Sequence, residues 1–371
     1  MKQMKQTGSI LIFMMWILIL LGVLTASVGL RSRLGIKLSE FYNQRLSNSY
    51  LMNSGVNLAA YLISEDDDPQ VDSRLDNWYH EPKELKNFAL AKQIQLSIAD
   101  EESKINLNKV DFHNASTPFL KSFFGILAAN SVKFKSDPKD LIAGIFAWRE
   151  QTTTAEGKTF GYEHKHALFE TVDELRLVQN MTPEDFETLR PFFTVYGRPF
   201  DFMMKMNINT VHDWILKALF DSLPENFAGS SDRELIYNRI QLVRNGDLKN
   251  PVKSPPGFFQ AVDISSANGF LQRIIPLSDQ SQGQAASQYS PALMGIASLL
   301  IQYFTVDSQF FSVRVETKKK DFSYAVDAIL GTRQQILVKI SKGNYNLQSQ
   351  LNNVLRGYPF EILYWNEQVT R

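Results

Sequence analysis

Residues 2–30 read KQMKQTGSILIFMMWILILLGVLTASVGL, a short basic leader that runs directly into an apolar segment. No charged residue occurs between Lys5 and Arg31. About 20 apolar residues are enough for a helix to cross the hydrocarbon core of a bilayer. The stretch therefore predicts one membrane-spanning helix, and the rest of the chain must be arranged around the end of that helix.

The small-residue junction of this N-terminus lies before the apolar run, whereas a secretory signal peptide carries its cleavage site after it. Gly8 and Ser9 form the junction, and Arg31 and Arg33 follow the apolar run. This order resembles that of type IV pilin-like precursors, in which cleavage after Gly8 would leave the apolar helix on the mature protein. An ordinary signal anchor is the alternative. The positive-inside rule does not settle the orientation, because basic residues after the span outnumber those of the leader.

The composition bounds the class of protein. A chain of 371 residues with 44% hydrophobic residues is long enough for two domains with real cores. Its 39 basic residues equal its 39 acidic residues, and a general nucleic-acid or membrane-surface binder would show a basic excess. Because cysteine is absent, no disulfide framework is expected.

A second, amphipathic segment continues the apolar one. Apolar residues recur at helical spacing over residues 31–64, and no proline interrupts the stretch. Residues 9–64 therefore predict one helix, half in lipid and half on a folded domain; two helices hinged near Gly29 or Gly35 are the alternative. The acidic run Glu65–Asp68 before Pro69 should end the helix.

The acidic run needs a counter-charge or solvent. A calcium ion could offset its repulsion, and so could Arg74 and Lys83 nearby in the sequence. A solvated acidic loop is the alternative interpretation.

Period-two alternation appears only near the two ends of the remaining chain, and a helical block lies between them. It predicts a strand pair at residues 92–108 with a turn at 100–103, and further strands at 311–315, 322–326, 336–340 and 361–365. The Ser- and Gln-rich stretch 278–290 predicts a flexible loop. The predicted divisions are a leader at 1–8, the long helix at 9–64, a first sheet part at 65–116, an inserted helical domain at 117–303 and returning strands at 304–371.

Residues 170–186 predict two short helices that meet at a tight hairpin. Thr182 is a good N-cap, with Asp185 three residues later. Helix-hairpin-helix units bind DNA phosphates when a glycine-rich hairpin exposes backbone N–H groups, but this hairpin has Asn180 and no glycine. We therefore expect a structural hairpin, closed by the apolar residues Leu175, Val178, Phe186 and Leu189.

Four further stretches carry a family resemblance. They are Glu65–Trp78, Lys104–Val110, Asn207–Thr210 before a helix at 211–220, and Ser308–Phe311. Together with the leader and the hairpin, they resemble the type II secretion minor pseudopilin K family, also called general secretion pathway protein K. The resemblance extends over essentially the whole chain, although the region after Lys249 matches loosely.

The resemblance implies an α+β, type IV pilin-like fold: a long N-terminal helix packed on a small antiparallel sheet, with a large all-α domain inserted between strands. It implies a non-catalytic subunit at the tip of the type II secretion pseudopilus, with minor pseudopilins I and J and, through them, the major pseudopilin as partners. The subunit would cross the inner membrane of a Gram-negative bacterium once, with its bulk in the periplasm. No nucleic acid is implied as a partner.

The resemblance also implies how the N-terminus is processed and used. A prepilin peptidase would cut between Gly8 and Ser9, and the new amino group would be methylated. Phe13 would then be residue five of the mature chain, where fibre-forming subunits carry a Glu that pairs with the amino terminus of a neighbour. A subunit without this Glu is suited to be the first in the fibre.

Cofactors and catalysis are not expected. The family often carries acidic clusters where this chain has residues 147–151 and 152–162, so calcium at those places does not follow. A metal site at Glu163, His164 and His166 lacks further ligands, and no nucleophile signature accompanies the remaining histidines. A membrane-anchored periplasmic enzyme stays the runner-up, and a minor pilin of a type IV pilus or DNA-uptake fibre is the second alternative.

Overall fold

The computed structural model describes the chain in separate ranges, which are residues 7–66, 68, 70–80, 93–110, 116–149, 165–198, 204–223, 229–247, 253–275, 289–317, 323–332 and 360–370. Within them the α-helices are α1 (Thr7–Ser64), α2 (Ser116–Ala129), α3 (Pro138–Arg149), α4 (Pro183–Leu189), α5 (Asp213–Ser222), α6 (Ser230–Asn245), α7 (Ala261–Ile264), α8 (Ala267–Ile274) and α9 (Pro291–Leu300). The strands are β1 (Ile94–Asp100), β2 (Ile105–Asn106), β3 (Phe193–Thr194), β4 (Met206–Asn207), β5 (Phe304–Thr305), β6 (Phe310–Thr317), β7 (Ser323–Thr332) and β8 (Phe360–Thr370).

Helix α1 is continuous over 58 residues, which corresponds to about 87 Å at 1.5 Å per residue. The prediction of one long helix is confirmed, and the helix passes Gly29 and Gly35 without a break. Every side chain from Ile10 to Ser47 is exposed. This part of α1 is long and apolar enough to cross a membrane.

The last turns of α1 pack on a four-stranded antiparallel sheet with the strand order β1-β6-β7-β8. The helix approaches the sheet closely at Gly55, where an added Cβ would lie 2.6 Å from Cγ1 of Val315. The strands predicted at 311–315 and 361–365 are confirmed as parts of β6 and β8. The core between helix and sheet includes Met52, Val56, Ala59, Ile63, Val313, Val326 and Leu330.

Helices α2 to α9 lie between β2 and β5 in the chain and share a second core. Its largest fully buried side chains are aromatic, and edge-to-face pairs such as Phe123 with Phe193, 6.1 Å between ring centroids, are frequent. The residues expected to close the hairpin, Leu175, Val178, Phe186 and Leu189, are all buried in this core.

One local expectation is wrong. The strand pair at 92–108 does not form, because β1 pairs with β6 and β2 pairs in parallel with β3. A 3-10 turn at Glu101–Ser103, capped by Oδ1 of Asp100 at 2.7 Å from the N atom of Glu102, turns the chain from the sheet towards the helices. The two short helices predicted for the hairpin are confirmed as a 3-10 helix, Val172–Leu177, and α4. The strand predicted at 336–340 and most of the loop at 278–290 lie outside the described residues.

Candidate functional site: the N-terminal helix and the buried polar junction

The residues predicted to be processed lie at the beginning of α1. Gly8 and Ser9 belong to its first turn, and Phe13 follows one turn later with 67% of its surface exposed. Cleavage after Gly8 and the role of Phe13 remain predictions. Both places lie near the N-terminal end of α1.

The motif at residues 105–108 ties one half of the helical block together. Oδ1 of Asn106 accepts from the N atom of Asn108 at 2.9 Å, which forms a turn directly after β2. The side chain of Asn108 makes two hydrogen bonds to the backbone of Phe169: its Nδ2 donates to the Phe169 carbonyl O and its Oδ1 accepts from the Phe169 N atom, each at 2.8 Å. Two distant loops are thereby fixed to each other.

The motif at residues 206–209 repeats this arrangement in the other half of the block. Oδ1 of Asn207 accepts from the N atom of Asn209 at 2.9 Å, directly after β4. The Oδ1 atom of Asn209 accepts from the N atom of Phe259 at 2.6 Å, and its Nδ2 atom donates to the Phe259 carbonyl O at 3.0 Å. Strand β4 pairs in parallel with β5, as β2 does with β3. The helical part of the chain thus contains two units with the same arrangement of strand and turn, the first from β2 to β3 and the second from β4 to β5, whereas the sequence predicted one inserted domain at 117–303.

A buried polar junction joins the second unit to the sheet domain. Oγ of Ser308 donates to Oδ2 of Asp100 at 2.6 Å, and Thr210 Oγ1 donates to the same oxygen. Nδ2 of Asn207 donates to Oγ of Ser308 at 2.9 Å and to the carbonyl O of Asp72 at 3.0 Å. All five side chains are at least nine-tenths buried. Buried polar groups that are all paired fix one arrangement of the parts they connect.

An ion pair extends the junction. Arg198 places its Nη2 atom 3.1 Å from Oε2 of Glu102 and 2.9 Å from Oδ1 of Asp307. Glu102 is 3% exposed, and burial raises its pKa to about 8 while Arg198 acts in the opposite direction. Glu102 lies in the turn after β1, Arg198 in the chain after β3 and Asp307 in the chain after β5, so these contacts join three separate segments.

Three carboxylates gather beside the junction, just after the end of α1. Oxygen atoms of Asp66, Asp72 and Asp76 lie within 4.8 Å of one another. Burial, with Asp100 and the other acids of the cluster, raises the pKa of Asp72 to about 9; burial and Asp76 raise that of Asp66 to about 6. Oδ2 of Asp66 is buried without a hydrogen-bond partner. This donor set fits a hard divalent cation such as calcium, which prefers carboxylate oxygens.

The Asp72 carboxyl makes stability depend on pH. In the folded chain its pKa is raised from 3.8 to about 9. Between about pH 4 and 9 the folded chain therefore keeps this proton while the unfolded chain has lost it, so the free energy of unfolding falls as the pH rises through this range. We expect Asp72→Asn, measured by urea unfolding without divalent cations, to remove a slope of about 1.4 kcal/mol per pH unit.

A matched control for Asp72→Asn is Asp221→Asn, which changes a surface carboxylate paired with Lys217 at 2.7 Å. This control should keep the wild-type pH profile, because an exposed pair contributes little. An unchanged profile in Asp72→Asn itself would show that Asp72 does not hold its proton in the folded chain.

The remaining site expectations concern histidines. His212 is the N-cap of α5, where its Nδ1 accepts from the N atom of Trp214 at 3.2 Å. His166 lies in an irregular stretch with a φ of 48°, while Glu163 and His164 lie outside the described residues, as do most of the positions 147–162 considered for calcium.

The fold and site together define a class of protein: a pilin-like α+β subunit with a long, uncovered N-terminal helix, a small antiparallel sheet and a helical block inserted between its strands. Residues 103–198 match the family model described as "Type II secretion system (T2SS), protein K". The resemblance to the minor pseudopilin K family is therefore confirmed over these residues, which contain the first of the two units.

A solved structure shares the fold. It is described as "The Crystal Structure of the GspK-GspI-GspJ complex from enterotoxigenic Escherichia coli Type 2 Secretion System", and one of its chains aligns with a TM-score of 0.51 at 16% identity. The alignment covers 90% of this chain and 98% of that one. No curated protein matches the sequence. The likeness supports the predicted pilin-like fold along nearly the whole chain.

Proposed function

We propose that this protein is a non-catalytic minor pseudopilin at the tip of the type II secretion pseudopilus, where it initiates or caps the fibre for export of folded proteins across the outer membrane. Its α1 would hold it in the inner membrane, and its remaining domains would lie in the periplasm. The observation that carries the proposal is the contrast within α1: side chains from Ile10 to Ser47 are exposed, while the last turns are buried against the sheet. An apolar helix surface of this length needs lipid or neighbouring helices to cover it.

The helical block supports the proposed position at the end of the fibre. Eight helices, α2 to α9, are inserted between β2 and β5 and add bulk that a helically stacked subunit would have to accommodate at every repeat. In the solved complex, GspK is found with GspI and GspJ. We propose that this chain assembles with minor pseudopilins I and J in the same way, and through them with the major pseudopilin.

A role in DNA binding is less well supported. The hairpin backbone is covered by α3, since a Cβ on Gly144 would lie 2.6 Å from the carbonyl O of Gln179. Asp185 accepts from the N atoms of Lys135 and Ser136 at 2.8 and 3.1 Å and so braces the hairpin. These contacts favour the structural hairpin over a phosphate-binding one.

The enzyme alternative depends on ionisable groups in a cleft. A cleft of about 460 Å³ lies between the outer face of the sheet and the first unit, but its charges pair with one another, as Arg314 does with Asp327 at 2.9 Å. Burial raises the pKa of Tyr364 at its rim to about 12, which disfavours the ionised form. Asp72 and Glu102, whose pKa values are raised to about 9 and 8, lie in the buried junction. The pocket that Glu102 borders holds only about 10 Å³, and Glu102 pairs there with Arg198, which supports a structural role.

Phe13→Glu tests the position of the subunit in the fibre. A carboxylate inside a bilayer costs about 2.5–3.5 kcal/mol, so the variant should insert less readily when expressed alone and should gain nothing in assembly. Phe13→Leu is the matched control and should behave like the wild type. Membrane fractionation and fibre recovery measure both effects; a Phe13→Glu protein that enters fibres more readily than the wild type would contradict the tip position.

We further propose that Asp66, Asp72 and Asp76 hold a calcium ion, which would neutralise their repulsion next to the end of α1. The unpartnered Oδ2 atom of Asp66 supports this proposal. Calcium should raise the thermal unfolding midpoint of the wild type relative to a chelator, and Asp66→Asn should lose most of the increase. Equal midpoints in calcium and chelator would contradict the proposal.

A further inference from the structure

Two arginines converge where the segment after α1 meets α5 and α6. Nη2 of Arg74 donates to the carbonyl O of Val211 at 2.8 Å, and Nη2 of Arg244 donates to the same oxygen. Both Nη2 atoms also lie beside Oδ1 of Asp213, at 3.2 Å from Arg74 and 3.3 Å from Arg244. One carboxylate therefore faces two guanidinium groups, which leaves an excess positive charge.

Donors of both arginines remain unused. The Arg244 side chain is 1% exposed, yet its Nε and Nη1 atoms have no hydrogen-bond partner, and neither does the buried Nε atom of Arg74. Leaving a buried donor of a charged group unpaired is costly. Burial and the nearby Arg74 also lower the pKa of Arg244 to about 10, against the influence of Asp213. The single carboxylate therefore does not offset both guanidinium groups.

The equivalent arginine of the first unit shows the difference. Arg149, at the end of α3, donates from Nη1 to the carbonyl O atoms of Leu107 and Val110 at 2.9 and 2.7 Å. Val110 and Val211 each follow the first Asn of their motif by four residues. Arg244, at the end of α6, donates to the Val211 carbonyl O through Nη2. Its Nη1 atom has no acceptor, whereas the Nη1 atom of Arg149 has two.

The surroundings leave one side of the arginine pair open to solvent. The side chains of Arg74 and Asp213 are 23% and 41% exposed, while Arg244 forms the floor. His212 adds no charge, because burial and both arginines lower its pKa, against the influence of Asp213, and its Nδ1 atom accepts a hydrogen bond. The donor of Arg74 available on this side is Nη1, which makes only a long hydrogen bond of 3.4 Å to Oδ1 of Asn245, so an anion can approach it from solvent.

We propose that Arg74 and Arg244 form an oxyanion-binding site at the seam between the segment after α1 and the second helical unit. Guanidinium groups bind sulfate, phosphate and carboxylate groups through paired N–H donors. The ligand supplies the missing negative charge: it accepts from Arg74 at the open side and offsets the charge of the buried Arg244. A free inorganic anion and a carboxylate side chain of a protein share this chemistry.

Thermal unfolding of the full chain in detergent tests the site, with sodium sulfate or sodium acetate titrated at constant ionic strength set with sodium chloride. We expect a saturable rise in the unfolding midpoint. A rise with sulfate indicates a free tetrahedral anion, and a rise with acetate alone indicates a carboxylate. Radiolabelled sulfate or acetate in equilibrium dialysis should bind with one site per chain.

Two variants and a control separate the site from a general salt effect. Arg74→Gln at the open side should weaken binding at least tenfold while the chain stays folded, and Arg244→Gln should abolish binding. Arg273→Gln is the control, since Arg273 is 40% exposed on α8 and pairs with Asp263 at 3.7 Å; it should bind like the wild type. The proposal is overturned if neither anion binds saturably, or if Arg74→Gln binds as well as the control.

Discussion

Gly8→Leu should leave the protein as full-length precursor in the inner membrane, without detectable mature chain. The reason is steric, because the peptidase implied by the family resemblance must accommodate the residue before the cut, and Gly8 has no side chain. Mass spectrometry of the purified protein measures the effect directly. The wild type should begin at Ser9, with the mass of one added methyl group.

The control for this variant is Gly22→Leu, further along α1. A Cβ at Gly22 meets no atom within 4 Å, so this change should leave processing intact. A Gly8→Leu protein that is still cut before Ser9 and still supports secretion would contradict the pilin-like interpretation of the N-terminus.

Asn207→Ala should lower the free energy of unfolding by about 3 kcal/mol or more, since each buried group left without its partner costs about 1–3 kcal/mol. Asn207 is fully buried, and its side chain bonds to the Asp72 carbonyl, to Oγ of Ser308 and to the N atom of Asn209. Its loss should therefore loosen the second unit from the sheet domain. Denaturant unfolding, followed by tryptophan fluorescence, gives the value.

Asn130→Ala is the matched control, because the Asn130 side chain is exposed and donates only to the carbonyl O of Ile126 at 2.8 Å. It should change stability by less than about 0.5 kcal/mol. A loss of that small size in Asn207→Ala would mean that the junction does not hold the two parts together.

The long helix was predictable because its signal is local: helical periodicity without proline over residues 9–64. The pairing of β1 was not, since Ile94 lies opposite Thr317 in β6, and alternation within a strand contains no information on a partner so far along the chain. The helix N-cap at Thr182 was predictable for the same local reason, and its hydroxyl accepts from the N atom of Asp185 at 3.1 Å.

The junction was harder to predict, because consecutive acids such as Asp100, Glu101 and Glu102 usually lie in solvent. Here all three are buried, and their partners Thr194, Arg198, Thr210 and Ser308 are brought to them only by the fold. A signal for the two units did exist. The runs Ile105–Asn108 and Met206–Asn209 both place asparagines two residues apart after an apolar residue, and comparison of one with the other would have indicated the repeat.

Immunogold labelling of pseudopili sheared from cells tests the central claim most directly, namely that this subunit occupies the tip of the fibre. An antibody to the helical block, α2 to α9, reaches the part of the chain that projects from the pilin-like core. We expect gold particles at one end of each fibre and none along its length. Particles spaced regularly along the fibres would contradict a position at the tip.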